Sequence, residues 1–136
     1  MNINSNLLTQ LKPFTNTTDI LTYNQNTGDI IKAILKANRD YAKEYDKIFM
    51  YFIGDTPEQT AENIFNYLKH NVYYRVESEN KQLIKTPAAI IATGDTTGSD
   101  CKNFALFIIG NLWAAKRNLD LDYDLYFRFA SYNDSS

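Results

Sequence analysis

The chain has 136 residues, 44% of them hydrophobic, and carries fourteen Lys and Arg against sixteen Asp and Glu, a formal charge of −2. That length buries one hydrophobic core rather than two, and no basic run is dense enough to track a phosphate backbone, so nucleic acid is not an expected partner. One cysteine forms neither an internal disulfide nor a thiolate metal site, and the apolar stretches stop well short of the ~20 residues of a membrane span; no metal, cofactor or membrane is expected, and the expected location is cytoplasmic.

Residues 1–26 are rich in Asn and Thr, contain Pro13, and have short apolar clusters at Ile3, Leu7, Leu8 and Leu11. They read as a polar, loosely docked arm with at most one helical turn, and residues 27–136 as a single domain. From Asp29 a helical pattern begins, in which Ile31, Ile34, Leu35, Tyr41, Ala42, Tyr45, Ile48 and Phe49 recur at three- and four-residue steps. This predicts one long amphipathic helix, with Tyr41, Tyr45 and Tyr51 at the core edge. Thr56 can cap the next helix, Pro57 suits its first position and Gln59 completes a capping box; Ala61, Ile64, Phe65 and Leu68 are its expected buried face. His70, the only histidine, falls near its end, where the simplest role is to favour the negative pole of the helix dipole.

Val72–Val76 reads as a short extended segment, and Thr86-Pro87 leads into the apolar run Ala88–Ala92. Thr93–Ser99 favours turns throughout, and Asp100 is placed to cap the helix that opens with Cys101. Cys101, Phe104, Ala105, Ile108, Ile109 and Leu112 fall at helical spacing, an expected inward stripe with the cysteine on the core side. Leu106, Phe107 and Trp113 make the other face apolar too, so this is the central helix. Leu121, Tyr123, Leu125, Phe127 and Phe129 alternate, predicting a strand over 121–130 with Asp122 and Asp124 outward. Its partner strand must come from an earlier extended segment, a continuation or another chain.

Cys101 stands at the mouth of that helix, just past the turn at Gly98. First-turn N–H groups without helical partners, together with the helix dipole, favour a thiolate and can hold an oxyanion. Against this, a free cysteine on an apolar stripe often behaves as a small hydrophobe. Both readings of the residue stand at this point.

Four segments, in order, carry a resemblance: Thr60–Tyr74, with its Asn71-Val72-Tyr73-Tyr74 end; Lys85-Thr86-Pro87; Gly98-Ser99-Asp100-Cys101-Lys102-Asn103; and Tyr126–Tyr132. Together they resemble the transglutaminase-like superfamily, within the papain-like thiol group, over roughly residues 56–132, and short phage and bacterial members more than the large animal crosslinking enzymes. The resemblance implies an α+β fold with N-terminal helices and a central Cys-bearing helix packed on a small antiparallel sheet, the C-terminal strands missing from these residues. It implies Cys101 as the nucleophile of acyl transfer, as in a peptidase, amidase or amide crosslinker, acting on a protein or peptide. It also places Tyr74 at a site-lining or oxyanion position and makes Gly98, Asp100 and Lys102 motif neighbours.

Two departures are visible. Ser99 lengthens the family's Gly-Asp-Cys, and the family's catalytic His and its orienting Asp belong on strands after Tyr132. With no His after Cys101, the chain alone is expected to be incomplete or inactive as a catalyst. The alternative is a non-catalytic phage or bacterial assembly module, located in the virion if phage-encoded, that docks its last strand on a partner chain. A third class is an inhibitor or decoy mimicking half of the enzyme.

Overall fold

The computed structural model describes residues 3–11, 18–21, 27–76 and 82–125. Helices dominate: α1 (Ile3–Gln10), α2 (Thr27–Asp40), α3 (Ala42–Tyr45), α4 (Pro57–Asn71), α5 (Pro87–Ala92) and α6 (Cys101–Leu119), with a 3-10 turn at Phe49–Phe52. Two four-residue strands, β1 (Thr18–Leu21) and β2 (Gln82–Lys85), pair antiparallel, Thr18 opposite Lys85 and Leu21 opposite Gln82. The described residues form a helix-rich domain, and this coarser description stands in place of the expected helix-on-sheet layering. No described helix is long and apolar enough to cross a membrane.

The caps follow the sequence, except that the Gln59 side chain, expected to complete a capping box, donates to Asn63 Oδ1 at 2.8 Å instead. Thr56 accepts from the Gln59 backbone N–H at 3.0 Å with Pro57 in the first turn of α4, and Thr86 with Pro87 repeats the arrangement on α5. Asp100 Oδ1 accepts from the Asn103 N–H at the start of α6. Each satisfies a donor that the first helical turn otherwise leaves unpaired.

Alpha6 is the central element. Phe107, fully buried, sits among Tyr45, Tyr67 and Phe52, with ring centroids 5.8, 5.8 and 6.0 Å away. Gly110 lies directly beneath the Tyr45 ring: a Cβ there would stand 2.5 Å from a ring carbon, so only glycine admits this close approach. Leu7 and Leu11 are also fully buried in this core, and the Tyr67 hydroxyl bonds Asn4 at 2.5 Å. Residues 3–11 are therefore packed rather than loosely attached, while Pro13 lies outside the described residues.

Four further expectations are corrected. The long helix predicted from Asp29 is interrupted after Asp40, and past the short α3 the pairing tightens to three-residue spacing, as in Lys47 N–H to Glu44 O and Ile48 N–H to Tyr45 O. Arg117 and Asn118 hold Asp46 at this tightened stretch, and Tyr51 is exposed rather than at a core edge. On α4, Phe65 is exposed rather than buried. The predicted strand is irregular over residues 121–125, and residues 126–130 lie outside the described residues. Asp120, in the left-handed region at φ 51°, turns the chain back, Lys116 donates to Tyr123 O, and the Tyr123 hydroxyl donates to Leu112 O at 2.8 Å. The segment thus lies against α6 itself. Its alternation survives in its burial, with Tyr123 and Leu125 half-buried and Asp122 and Asp124 exposed.

Glu44, only 8% exposed, has a carboxylate oxygen without a hydrogen-bond partner. Burial pushes its carboxyl up from 4.5 to about 7. The folded state thus holds a proton that the unfolded state releases between those values, so this residue's contribution is full below pH 4.5 and is lost as pH rises through about 7. Glu44→Gln is expected to flatten that part of the pH dependence and to gain about 1 kcal/mol at pH 8, after allowance for solvent screening. Urea unfolding of both proteins at pH 5 and pH 8 checks it; an equal difference at the two pH values would contradict it.

Candidate functional site

The site is assembled at the start of α6 from three chain segments. After α4 the backbone of residues 73–75 runs extended and pairs with Ser99: the Ser99 N–H donates to Tyr73 O and the Arg75 N–H to Ser99 O, both at 2.9 Å. Gly98 makes the approach possible. Its φ is +69°, and a Cβ there would stand 2.4 Å from Tyr73 O.

A buried polar cluster fixes this turn from behind. Lys85 of β2 is 3% exposed, and its ammonium donates to Gly98 O at 2.5 Å and to Thr93 Oγ1 at 3.1 Å. Asn103, fully buried, accepts from the Lys85 N–H at 3.0 Å and donates to Asp100 Oδ1 at 3.1 Å. The other carboxylate oxygen of Asp100 receives the Lys102 ammonium at 2.6 Å, with both side chains buried. Asp100 is therefore cap, counter-ion and acceptor at once, and its charge is spent inside this network.

Cys101 is the first residue of α6 and it is exposed, which corrects the expected core-side orientation. The expected inward stripe divides: Ile109 and Leu112 are buried, Phe104, Ala105 and Ile108 are half-buried, and the true core face runs through Leu106, Phe107, Gly110 and Ala114. The half-buried residues and Cys101 form one wall of an open cleft of about 560 Å³. Phe65 and Lys69 of α4 form the opposite wall, and Val72, Tyr73 and Tyr74 close the end near the thiol.

Tyr74 and Cys101, singled out separately in the sequence, are thus brought together. The Tyr74 phenol is raised above its ordinary value, first by burial, then by Cys101, with which its hydroxyl is in hydrogen-bond contact, and by nearby Asp100. The Tyr74 ring meets Phe104 edge-on at 5.6 Å. Of the motif neighbours, Gly98 shapes the turn, while Asp100 and Lys102 form the buried pair rather than facing the cleft.

His70 is not brought to the thiol. It is exposed, its Nδ1 lies 2.7 Å from Asn66 O, and it borders an adjoining depression of about 150 Å³ with Gly94 and Asp95, on the other side of Lys69, Val72 and Tyr73. Among the described residues no group of three His, Cys, Asp or Glu is placed to hold a metal. Sequence reasoning missed the cleft walls at Phe65, which periodicity assigned to the core, and at Lys69, and missed Lys85 and Asn103, whose roles depend on contacts between distant segments.

Compared with protein-family models, curated proteins and solved structures, the chain matches none.

Proposed function

We propose that this chain is a transglutaminase-like cysteine acyl-transfer protein in which Cys101 is the nucleophile. The observation that carries the reading is the placement of the thiol: exposed, on the first residue of a 19-residue helix, and at the floor of an apolar cleft beside a phenol. A cysteine serving only as core packing has no need of that position. In the reaction the sulfur bonds to an amide carbonyl carbon, the C–N bond breaks, and the departing amine carries the thiol proton away. Water or a second amine then takes the acyl group from sulfur and returns the proton to it. The Tyr74 hydroxyl donates to the sulfur and orients it toward the carbonyl carbon. The general base comes from a segment or partner outside the site described above.

The test is the rate at which iodoacetamide alkylates Cys101 in the native protein between pH 5 and pH 9, beside a Cys101→Ala control. Fast labelling at and below neutral pH is expected, and Tyr74→Phe is expected to slow it about fivefold, the value of one hydrogen bond. Labelling that requires unfolding would overturn the nucleophile reading.

One observation favours the assembly-module alternative: Phe65, Tyr73, Tyr74 and Val76 are all substantially exposed, from 48% to 82%. Apolar surface of this kind marks contact sites. On that reading the thiol is slow to label, and Tyr74→Phe leaves its rate unchanged.

A further inference from the structure

The cleft beside Cys101 has a composition that says what it would hold. Its walls are aromatic and aliphatic apart from the thiol, the phenol hydroxyls and, among the described residues, one charged side chain, Lys69. A second cation stands close by: the Arg75 guanidinium lies 5.9 Å from the centroid of the Tyr73 ring. The nearest carboxylate on the thiol side, that of Asp100, is buried and held by Lys102. Among the described residues the charged side chain lining the cleft is thus a cation, with the acid beside the thiol paired to Lys102 and Asp95 lying across the adjoining depression that Lys69 also borders. At about 560 Å³ the space exceeds what a water-filled nick needs and suits a ring with its flanking atoms.

We propose that the acyl donor of Cys101 is an aromatic one: an amide or peptide whose ring, next to the attacked carbonyl, seats between Phe65, Tyr73 and Ile108, and whose carboxylate is read by Lys69. This rests on the nucleophile reading above. Ring burial supplies the binding, since apolar contact is worth most where water is displaced from aromatic walls. The lysine supplies discrimination, because an acidic group at a cationic rim is favoured and a basic one is repelled.

Three alkylating probes separate the inference from the reading on which it rests. In each, sulfur displaces iodide from a CH₂ group and the thiol proton passes to solvent, so only the appended group differs. Iodoacetamide reports the thiol alone, N-phenyl iodoacetamide adds a ring, and 4-(iodoacetamido)benzoate adds a ring and a carboxylate. Each rate is divided by the rate of the same probe with glutathione.

The ring is expected to raise the normalised rate about tenfold over iodoacetamide, and the carboxylate a further threefold or so. Phe65→Ser and Tyr73→Ser, both at exposed positions where folding tolerates the change, are each expected to return the ring's advantage toward unity. Lys69→Glu is expected to reverse the carboxylate effect and keep that of the ring.

Fast iodoacetamide labelling with no advantage for the ring would overturn the aromatic-donor inference and leave the nucleophile reading standing. So would a disadvantage for the ring, the outcome if another protein or another part of this chain fills the cleft. Slow labelling by all three probes, relieved only by unfolding, would overturn both.

Discussion

Replacing Asp100 with alanine is expected to destabilise the protein by about 3–5 kcal/mol, enough to unfold much of it, because the change removes the buried carboxylate that pairs with the Lys102 ammonium. The carboxylate also caps α6 and accepts from the Asn103 amide, so the loss is concentrated at the start of the helix that carries Cys101. Asp100→Asn separates these roles. It can keep the cap and lose the counter-ion, and its cost is expected to stay above 2 kcal/mol. The double variant Asp100→Asn with Lys102→Met removes both members of the buried ion pair and is expected to recover most of the loss. Urea denaturation of the three proteins measures this. A cost below 1 kcal/mol for Asp100→Ala would mean that Lys102 reaches water or another partner when its carboxylate is gone.

Phe107→Ala is expected to cost a further independent 3–5 kcal/mol. The ring is fully buried and touches three aromatic neighbours contributed by three different parts of the chain. None of these can collapse into the space: Tyr45 is already pressed on Gly110, and Phe52 and Tyr67 are bound to one another edge-on at 5.4 Å. A cavity of ring size therefore persists, and cavity volume adds to the lost transfer energy. Phe107→Leu, which keeps most of the volume, is expected to cost less than half as much. Near-equal costs for the two substitutions would show that the cluster repacks.

What was legible in the sequence is mainly what is local. The caps at Thr56 and Asp100, the proline after each of Thr56 and Thr86, and the all-round apolar character of residues 101–119 are set by neighbours a few positions away. The exposure of Cys101 was not legible, because an apolar stripe identifies a face without saying whether a core or an open cleft meets it. Phe104, Ala105 and Ile108 satisfy the same periodicity as Leu106 and Phe107, and only the position of α4 decides between them. The strand predicted from Leu121 failed at residues 121–125 for a related reason: alternation is equally served by a chain lying along a helix, where Tyr123 finds its partner in Leu112 O. The partner of β2 lay in Thr18–Leu21, inside a stretch whose Asn and Thr content marked it as an arm; pairing across more than sixty residues leaves no local trace.

The burial of Leu7 and Leu11 has a consequence for how the molecule is made. Both belong to the same core as Phe107, almost a hundred residues further along the chain. At about 5–20 residues per second, a ribosome that has finished α1 needs roughly 5–20 s to deliver the ring that completes its environment. Throughout that interval Leu7 and Leu11 lack their finished core, in a segment too short to hold a helix by itself. Slower codons between α1 and α6 lengthen that interval without altering a single residue of the product, and are expected to lower the yield of folded protein.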